Sequence, residues 1–565
     1  MGSKTDKLNK VLDYIIGVVA GTSFLVLILQ WGLQLGDTYR NLFNKIDTGV
    51  LFVFVFDIII RFLFAPVKKG YFKSHWMDLI ILIPFIQFIQ GVRTARLFVV
   101  VRQVVVVFSI FSRTKRLQRL ISLLGLKPAQ MLAVSFMMTI MVGTFLLMLP
   151  ISTVAGKGLN IVDALFTATS ATCVTGLIVQ DTGSFFSLFG QLVILALIQV
   201  GGLGIMTFSV SLFLAVGRQI SHRETMAMQD VLDQDSISGI LGLVQFIVKM
   251  TIFVELLGAV FLYVVFEPYV PDPLFRCYVA IFHSISAFCN AGFSLFSDSL
   301  ILFAKNPGIN LCIAFLIIFG GLGFIVVKDI WDKYGKRQYP KSRRLKLHTK
   351  IVFSMSIALL IIGTICLFFA ERNTMLQGMS LQDKILVSFF QSATARTAGF
   401  NSVDIGALSN ASIFSIICLM FIGASAGSTG GGIKTTTFWI ILKAFTNRLQ
   451  NKEDISAFKR KVPSEVVGKA LAVFVLSLAL IGLFAYFLAI VESLPFRDLL
   501  FEVVSAFGTV GLSCGITAQM HVMGKIIITI LMFLGRLGPL TIVLAFSRYQ
   551  RKINYTYAEE KMMVG

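Results

Sequence analysis

Apolar residues in this chain come in long unbroken blocks rather than in the alternating or 3.6-residue patterns of half-buried elements. Crossing a hydrocarbon core of about 30 Å takes roughly 20 apolar residues as a helix. Blocks of that order recur from one end to the other. Four are predicted at the front, over 11–33, 50–64, 76–89 and 93–119. Eight more follow in pairs, over 130–149 and 188–216, 243–266 and 309–327, 351–370 and 412–442, and 466–491 and 522–545. Between the members of each pair lies a shorter segment of small and mildly polar residues. These four segments share one pattern: FTATSATCVTGL at 166–177, FHSISAFCNAGF at 282–293, FFQSATARTAGF at 389–400 and FEVVSAFGTVGL at 501–512.

Aligned on Gly176, Gly292, Gly399 and Gly511, the segments all begin with Phe ten residues earlier, and the glycines are 116, 107 and 112 residues apart. That period suits a whole helical hairpin copied four times. The expected fold is an all-α polytopic membrane protein in which four repeats, each helix, re-entrant segment, helix, surround one axis as a pseudo-fourfold pore behind a four-helix bundle. Non-helical backbone at membrane depth is tolerated where it is buried in protein or lines a wet cavity. A short helix aimed C-terminus first at the axis brings partial negative charge there, and carbonyls beyond its end can replace a cation's hydration shell. The residues flanking the glycines are small or neutral, except Arg396 and Glu502. No ring of acids is present, so carbonyl selection of a monovalent cation is expected.

Composition agrees. The chain has 565 residues, 56% hydrophobic content and a mean hydropathy of +0.84, outside the soluble globular range. The net charge of +21 raises the question of nucleic acid, but it is confined to alternate loops. Nine Lys or Arg lie in 328–350, six in 443–461 and four after Ser547, against about one in each opposite loop. This is the positive-inside bias, which places the basic loops and both termini in the cytoplasm and makes the bilayer, not nucleic acid, the expected surroundings. Seven scattered cysteines suggest neither a disulfide framework nor a metal site. No nucleophile and base pair or cofactor loop points to an enzyme.

The front module, 1–127, carries Arg93, Arg96 and Arg102 at three-residue steps in an otherwise apolar helix, with Asp13, Asp57 and Asp78 as partners. Charges at bilayer depth need such partners. The block around Phe54, Asp57 and Arg61, with Asp78 and Pro84 beyond, resembles the second and third helices of voltage-sensor domains. That resemblance implies an aromatic plug at Phe54 past which the arginines move. A static anchor with permanently neutralised arginines fits the same residues.

Residues 128–548 resemble the Trk/Ktr superfamily of potassium transporters, on the four glycine segments and on the run Gly423-Ala-Ser-Ala-Gly427-Ser428-Thr429-Gly430-Gly431-Gly432-Ile-Lys434 in the sixth of the eight core helices. The repeats divide at about 128–240, 241–350, 351–462 and 463–548, with 549–565 as a cytoplasmic tail. The resemblance implies a K+ filter made by Cys173, Val174, Thr175 and Gly176; Cys289, Asn290, Ala291 and Gly292; Arg396, Thr397, Ala398 and Gly399; and Gly508, Thr509, Val510 and Gly511. Gly176, where sodium-preferring members often carry serine, implies potassium. The glycine-rich run implies a mobile intramembrane gate loop, with Lys434 and Arg536 beside it. A phosphate-cradling role for Gly432 to Thr435 is disfavoured by spacing and context. The resemblance further implies a homodimer in the plasma membrane, for a bacterium the inner membrane. It also implies a cytoplasmic nucleotide-binding RCK ring on a separate chain, so that no nucleotide or other cofactor is expected on this one. Potassium uptake driven by membrane potential, with possible Na+ or H+ assistance, is the expected function. A voltage-gated monovalent cation channel and a non-conducting sensor or assembly subunit are the alternatives.

Overall fold

The computed structural model describes residues 128–204, 237–334, 344–452, 455–458 and 460–538. The voltage-sensor-like residues Phe54, Asp57, Asp78, Arg93, Arg96 and Arg102 lie outside these. Within them the protein is helical apart from one two-residue antiparallel pair, β1 (Ser456–Ala457) and β2 (Arg460–Lys461). Among the described residues, four helices are long and apolar enough to cross a membrane. They are α1 (Pro128–Met148), α4 (Ile237–Val265), α8 (Leu347–Glu371) and α12 (Ser464–Val491). Each precedes one copy of the shared glycine pattern in sequence. Large apolar side chains such as Met137, Phe253, Ile361 and Tyr486 remain exposed on their outer faces, as lipid-facing surfaces require.

Each long helix is followed by a short one carrying the shared pattern: α2 (Ile161–Thr172), α5 (Pro273–Phe288), α9 (Leu381–Thr394) and α13 (Phe496–Gly508). Local chemistry fixes where they start. Asn160 accepts from Asp163 N at 2.8 Å and Ser380 from Asp383 N at 3.2 Å, while Asp272 caps α5 ahead of Pro273. Asp163, Asp383 and Asp498 place acids in the first turns of α2, α9 and α13, complementing the positive helix ends. The recurrent Phe166, Phe282 and Phe501 are wholly buried, and so is Phe390, one residue into the third copy. They wedge these helices into the core.

The closing helices differ from expectation. The apolar run 309–327 predicts one helix, but the chain forms α6 (Pro307–Leu322) and α7 (Phe324–Tyr334), bent by 92°. Gly323 between them has φ +95°, which ends the helix and re-aims the chain. The runs 188–216 and 522–545 likewise begin as α3 (Leu188–Leu203) and α14 (Val522–Leu537), which stop at Gly204 (φ +79°) and Gly538 (φ +83°). In the third repeat α10 (Asn410–Phe421) ends still earlier, and helix resumes only at α11 (Thr435–Leu449). Hydropathy does not register these breaks, because a glycine inside an apolar run lowers it very little.

Candidate functional site

The four short helices deliver their C-terminal loops to one place. A methyl group built on Gly176 would lie 3.1 Å from Gly292 Cα, one on Gly292 2.9 Å from Gly399 Cα, one on Gly399 3.2 Å from Gly511 Cα, and one on Gly511 2.9 Å from Gly176 Cα. The series closes on itself, and at each step the glycine faces the carbonyl oxygen just before the next one: Ala291, Ala398, Val510 and Thr175. There is no room for a side chain anywhere on this ring.

The loops also share a backbone that their side chains do not predict. Two residues before each glycine the chain turns left-handed, at Val174 (φ +57°), Asn290 (+59°), Thr397 (+82°) and Thr509 (+49°). The glycines follow at +93°, +70°, +81° and +89°. A β-branched Val or Thr in this region costs roughly 1–2 kcal/mol and persists only where its surroundings over-determine it. Part of that determination is visible. Thr175 N, Ala291 N and Val510 N each donate to the carbonyl of a serine five residues back, at 2.8 Å, and Ala398 N donates to Thr394 O at 2.9 Å. Ser170 and Ser505 also accept from Gly176 N and Gly511 N through Oγ, both at 3.1 Å, while Ser286 donates to Phe293 O at 2.7 Å. The serine six residues before the glycine recurs in three of the four segments and was the sequence signal for this bracing.

Cys173 and Cys289 are wholly buried at the helix ends, Gly508 closes α13, and Arg396 is 8% exposed. The Arg396 side chain lines a small cavity with Ile317, Ser356 and Ala424, and its Nε has no partner among the described residues. The Asn290 amide and Thr397 Oγ1 lie 3.1 Å apart, joining the second and third loops at their left-handed positions.

Next to this ring lies the level of the helix breaks. The sequence shows it as Gly201-Gly-Leu-Gly204, Gly320-Gly-Leu-Gly323 and Gly535-Arg-Leu-Gly538. Gly201, Gly320 and Gly535 press on the last turns of α2, α5 and α13. Their built methyls would fall 2.8, 3.1 and 2.8 Å from the carbonyl carbons of Thr172, Phe288 and Phe507. This recurrence is a second repeated motif, outside the residues singled out from the sequence except at Arg536. It shows what is unusual about Arg536: the matching residues of the first two repeats are Gly202 and Gly321. The partly buried guanidinium at that position donates to Gly201 O and Thr429 O.

In the third repeat the break becomes a loop, 422–434. It is expected from its composition to be mobile, yet here it is tied on several sides. Ser425 N donates to Gly321 O at 3.1 Å, Thr429 N to Gly320 O at 3.3 Å, and Phe324 N to Gly427 O at 2.8 Å. Ile422 and Ile433 form a bridge. Lys434 turns back to donate from Nζ to Gly430 O at 2.7 Å and Gly431 O at 3.3 Å. Ser428 Oγ donates to Ser425 O at 2.6 Å, and Gly432 lies against Gly423, its built methyl 3.1 Å from Gly423 Cα. Methyls on Gly430 and Gly431 would stand 3.0 Å from Thr397 Cβ and Thr509 Cγ2. The loop therefore lies directly against the left-handed residues of the third and fourth segments.

Two further features escaped the sequence reading. Lys525 Nζ on α14 meets Asp163 Oδ1 on α2 at 2.8 Å, so the last repeat is ionically joined to the first. Glu255, buried in α4, takes a hydrogen bond from Gln199 Nε2 at 3.2 Å and lies 3.9 Å from Cys289 Sγ. Neither acid belongs to a recognisable motif, because each finds its partner from another repeat only after folding.

Comparison with known proteins adds to this geometry. The family described as TrkH, cation transport protein, matches residues 98–555, and that described as ion transport protein matches 9–155. The chain is 43% identical to Ktr system potassium uptake protein B of Bacillus subtilis over 445 residues, 78% of this chain and 97% of that protein. It is 40% identical to the protein of the same name from Vibrio alginolyticus, over 77% of this chain and 94% of the relative. It is 37% identical to the potassium/sodium uptake protein NtpJ of Enterococcus hirae, over 78% and 98%. In fold it is similar to the crystal structure of the potassium transporter TrkH from Vibrio parahaemolyticus, with a TM-score of 0.59 at 17% identity, covering 85% of this chain and 97% of that one.

Proposed function

The chain belongs to the TrkH family of cation transport proteins, which are membrane transporters and not enzymes, and from that premise we propose that it takes up K+ through the glycine ring. The observation that carries the reading is the closed contact series from Gly176 through Gly292, Gly399 and Gly511 back to Gly176. In this reading the core is four helix–re-entrant–helix repeats about a pseudo-fourfold axis. The carbonyls of Thr175, Ala291, Ala398 and Val510 are then among those that stand in for water around a dehydrated K+. Four helix C-termini, each equivalent to about half a negative charge, favour the cation over any anion. The relatives named as potassium uptake proteins point to the same ion.

The loop 423–432 is the gate in this proposal, and Arg536 is its latch. A fixed positive charge at that depth opposes a passing cation, and its bonds to Thr429 and Gly201 hold the loop against the ring. Opening requires those bonds and the Lys434 bonds to break together. The driving force is the membrane potential, worth about 2.3 kcal/mol per charge per 100 mV, with Na+ or H+ assistance. We further propose a homodimer in the plasma membrane with both termini cytoplasmic. A separate RCK-type ring that binds nucleotide would dock on the basic segments 328–350 and 443–461 and set the position of the gate loop.

A second reading, a voltage-gated cation channel driven by residues 1–127, is favoured by the ion transport family match over 9–155 and by the Arg93, Arg96, Arg102 stripe. Flux of K+ and Na+ into proteoliposomes under clamped potential tests both. K+ uptake that exceeds Na+ uptake and scales smoothly with potential is the expected result. Absence of K+ flux overturns the first reading, and a steep voltage threshold lost on neutralising the three arginines favours the second.

A further inference from the structure

Each of the last three ring segments carries the same cross-brace, built from different residues. His283 Nε2 meets Ser294 Oγ at 3.0 Å. Gln391 Nε2 donates to Ser402 Oγ at 3.3 Å. Ser513 Oγ donates to Glu502 Oε1, and Thr517 Oγ1 donates to Oε2 of the same carboxyl at 3.1 Å. In every case the helix residue precedes the serine by eleven positions, so the bond spans the loop with its glycine in between. The helix members are 0%, 3% and 0% exposed. His283 is packed in aromatic rings, with Phe296 stacked at 4.9 Å and Phe266 and Phe282 edge-on. Burying an imidazole, an amide and a carboxyl costs free energy that apolar residues would avoid, unless each bond is made. Packing alone does not account for polar groups at these three places, two in the same register about the glycine and the third, Gln391 with Ser402, shifted by one residue.

The first segment lacks the brace. Its residues in the two registers are Thr167 with Ile178 and Ala168 with Val179, and its outgoing limb is held further along, where Gln191 Nε2 donates to Thr182 O at 3.1 Å and to Gly183 O at 3.0 Å, and by close packing. A methyl on Gly183 would fall 2.8 Å from Leu295 C. The ring thus has three walls with a side-chain hydrogen bond across the loop and one without it.

We propose that His283–Ser294, Gln391–Ser402 and Glu502–Ser513 are struts that set the spacing of the ring carbonyls and hence its preference for K+ over Na+. The proposal rests on the reading of the ring as the ion filter. Two ions of equal charge are told apart through the separation and stiffness of the groups that coordinate them. The amide on the helix side of each glycine is already tied to its helix, so the outgoing limb is the part left to move. The six residues act as positioning residues; they do not touch the ion.

The test is paired K+ and Na+ flux into proteoliposomes for wild type and for Ser294→Ala, Ser402→Ala and Ser513→Ala, with Ser294→Thr and Ser513→Thr as variants that keep the hydroxyl. Each alanine is expected to lower the K+/Na+ flux ratio by roughly 3- to 10-fold, the worth of one buried hydrogen bond. The threonines should restore most of it, and size-exclusion profiles should not change. Should an alanine variant fail to fold, Gln391→Met, which keeps volume and removes the amide, carries the same expectation. Alanine or methionine variants that fold and keep the wild-type ratio overturn the strut proposal. A wild-type protein with no K+ preference overturns the filter reading instead, and the two failures are thereby distinguished.

Discussion

The glycine ring recurs four times in sequence and the adjoining helix break three times, with an expanded loop in the remaining place, and the two levels use their repetition in opposite ways. In the ring, residues as different as Val174, Asn290, Thr397 and Thr509 adopt one backbone conformation, and all four glycines pack alike. At the breaks, Gly202 and Gly321 are matched by Ala424 in an expanded loop and by Arg536. The ring has one backbone and many side chains; the breaks have diverged in both. A site that coordinates a spherical ion through backbone oxygens profits from symmetry. A latch needs only one position that can hold and release, and identical copies would place several cations in one path.

The comparison can be broken most sharply at the ring. Gly511→Ala combines a φ of +89° with a methyl 2.9 Å from Gly176 Cα; at ~3 kcal/mol or more of strain, K+ flux should fall on the order of 100-fold. An alanine variant with wild-type flux would show that the ring is not the narrow point. At the break level the sign reverses. Arg536→Ala removes a charge and two charge-assisted hydrogen bonds to carbonyls, so basal K+ flux should rise about tenfold; a fall would mean that the arginine supports the path rather than closing it. Lys434→Met frees Gly430 O and Gly431 O but leaves Arg536 in place, and a rise of about threefold in the same flux measurement is expected. The smallest effect is on stability. Lys525→Met leaves Asp163 with the Asn160 amide, which donates to it at 2.9 Å, but without its cation, and thermal unfolding in detergent should show a loss of ~2 kcal/mol, below the roughly 3–5 kcal/mol of a fully buried broken pair because Lys525 keeps 14% exposure.

How much of this was legible beforehand differs between the two levels. The ring was readable because its glycines answer to a local constraint, a left-handed backbone with no space for a Cβ, that leaves the same letter at the same place four times. The breaks at Gly204, Gly323 and Gly538 leave an equally regular mark, but an apolar run hides it, and the expected single helix over 309–327 proved to be two helices at 92°. The loop 422–434 was readable as a run of glycines, and its tethering was not. Gly320 O, Gly321 O and Phe324 N, which bind it, come from another repeat about a hundred residues away.

By itself, then, the sequence determined the long apolar helices, the four short helices between them, three of them with side-chain caps, and the glycines where no side chain can stand. These follow from hydropathy, capping chemistry and backbone sterics, all of which act within a few residues. Only the tertiary structure decided which groups meet. It set Lys525 against Asp163, Arg536 against Thr429 and Gly201, and His283, Gln391 and Glu502 against serines beyond their own loops. The physical reason is that a buried polar group must find a partner of complementary chemistry at hydrogen-bonding distance. Which partner is within reach depends on how the helices pack, and no local pattern in the chain records it.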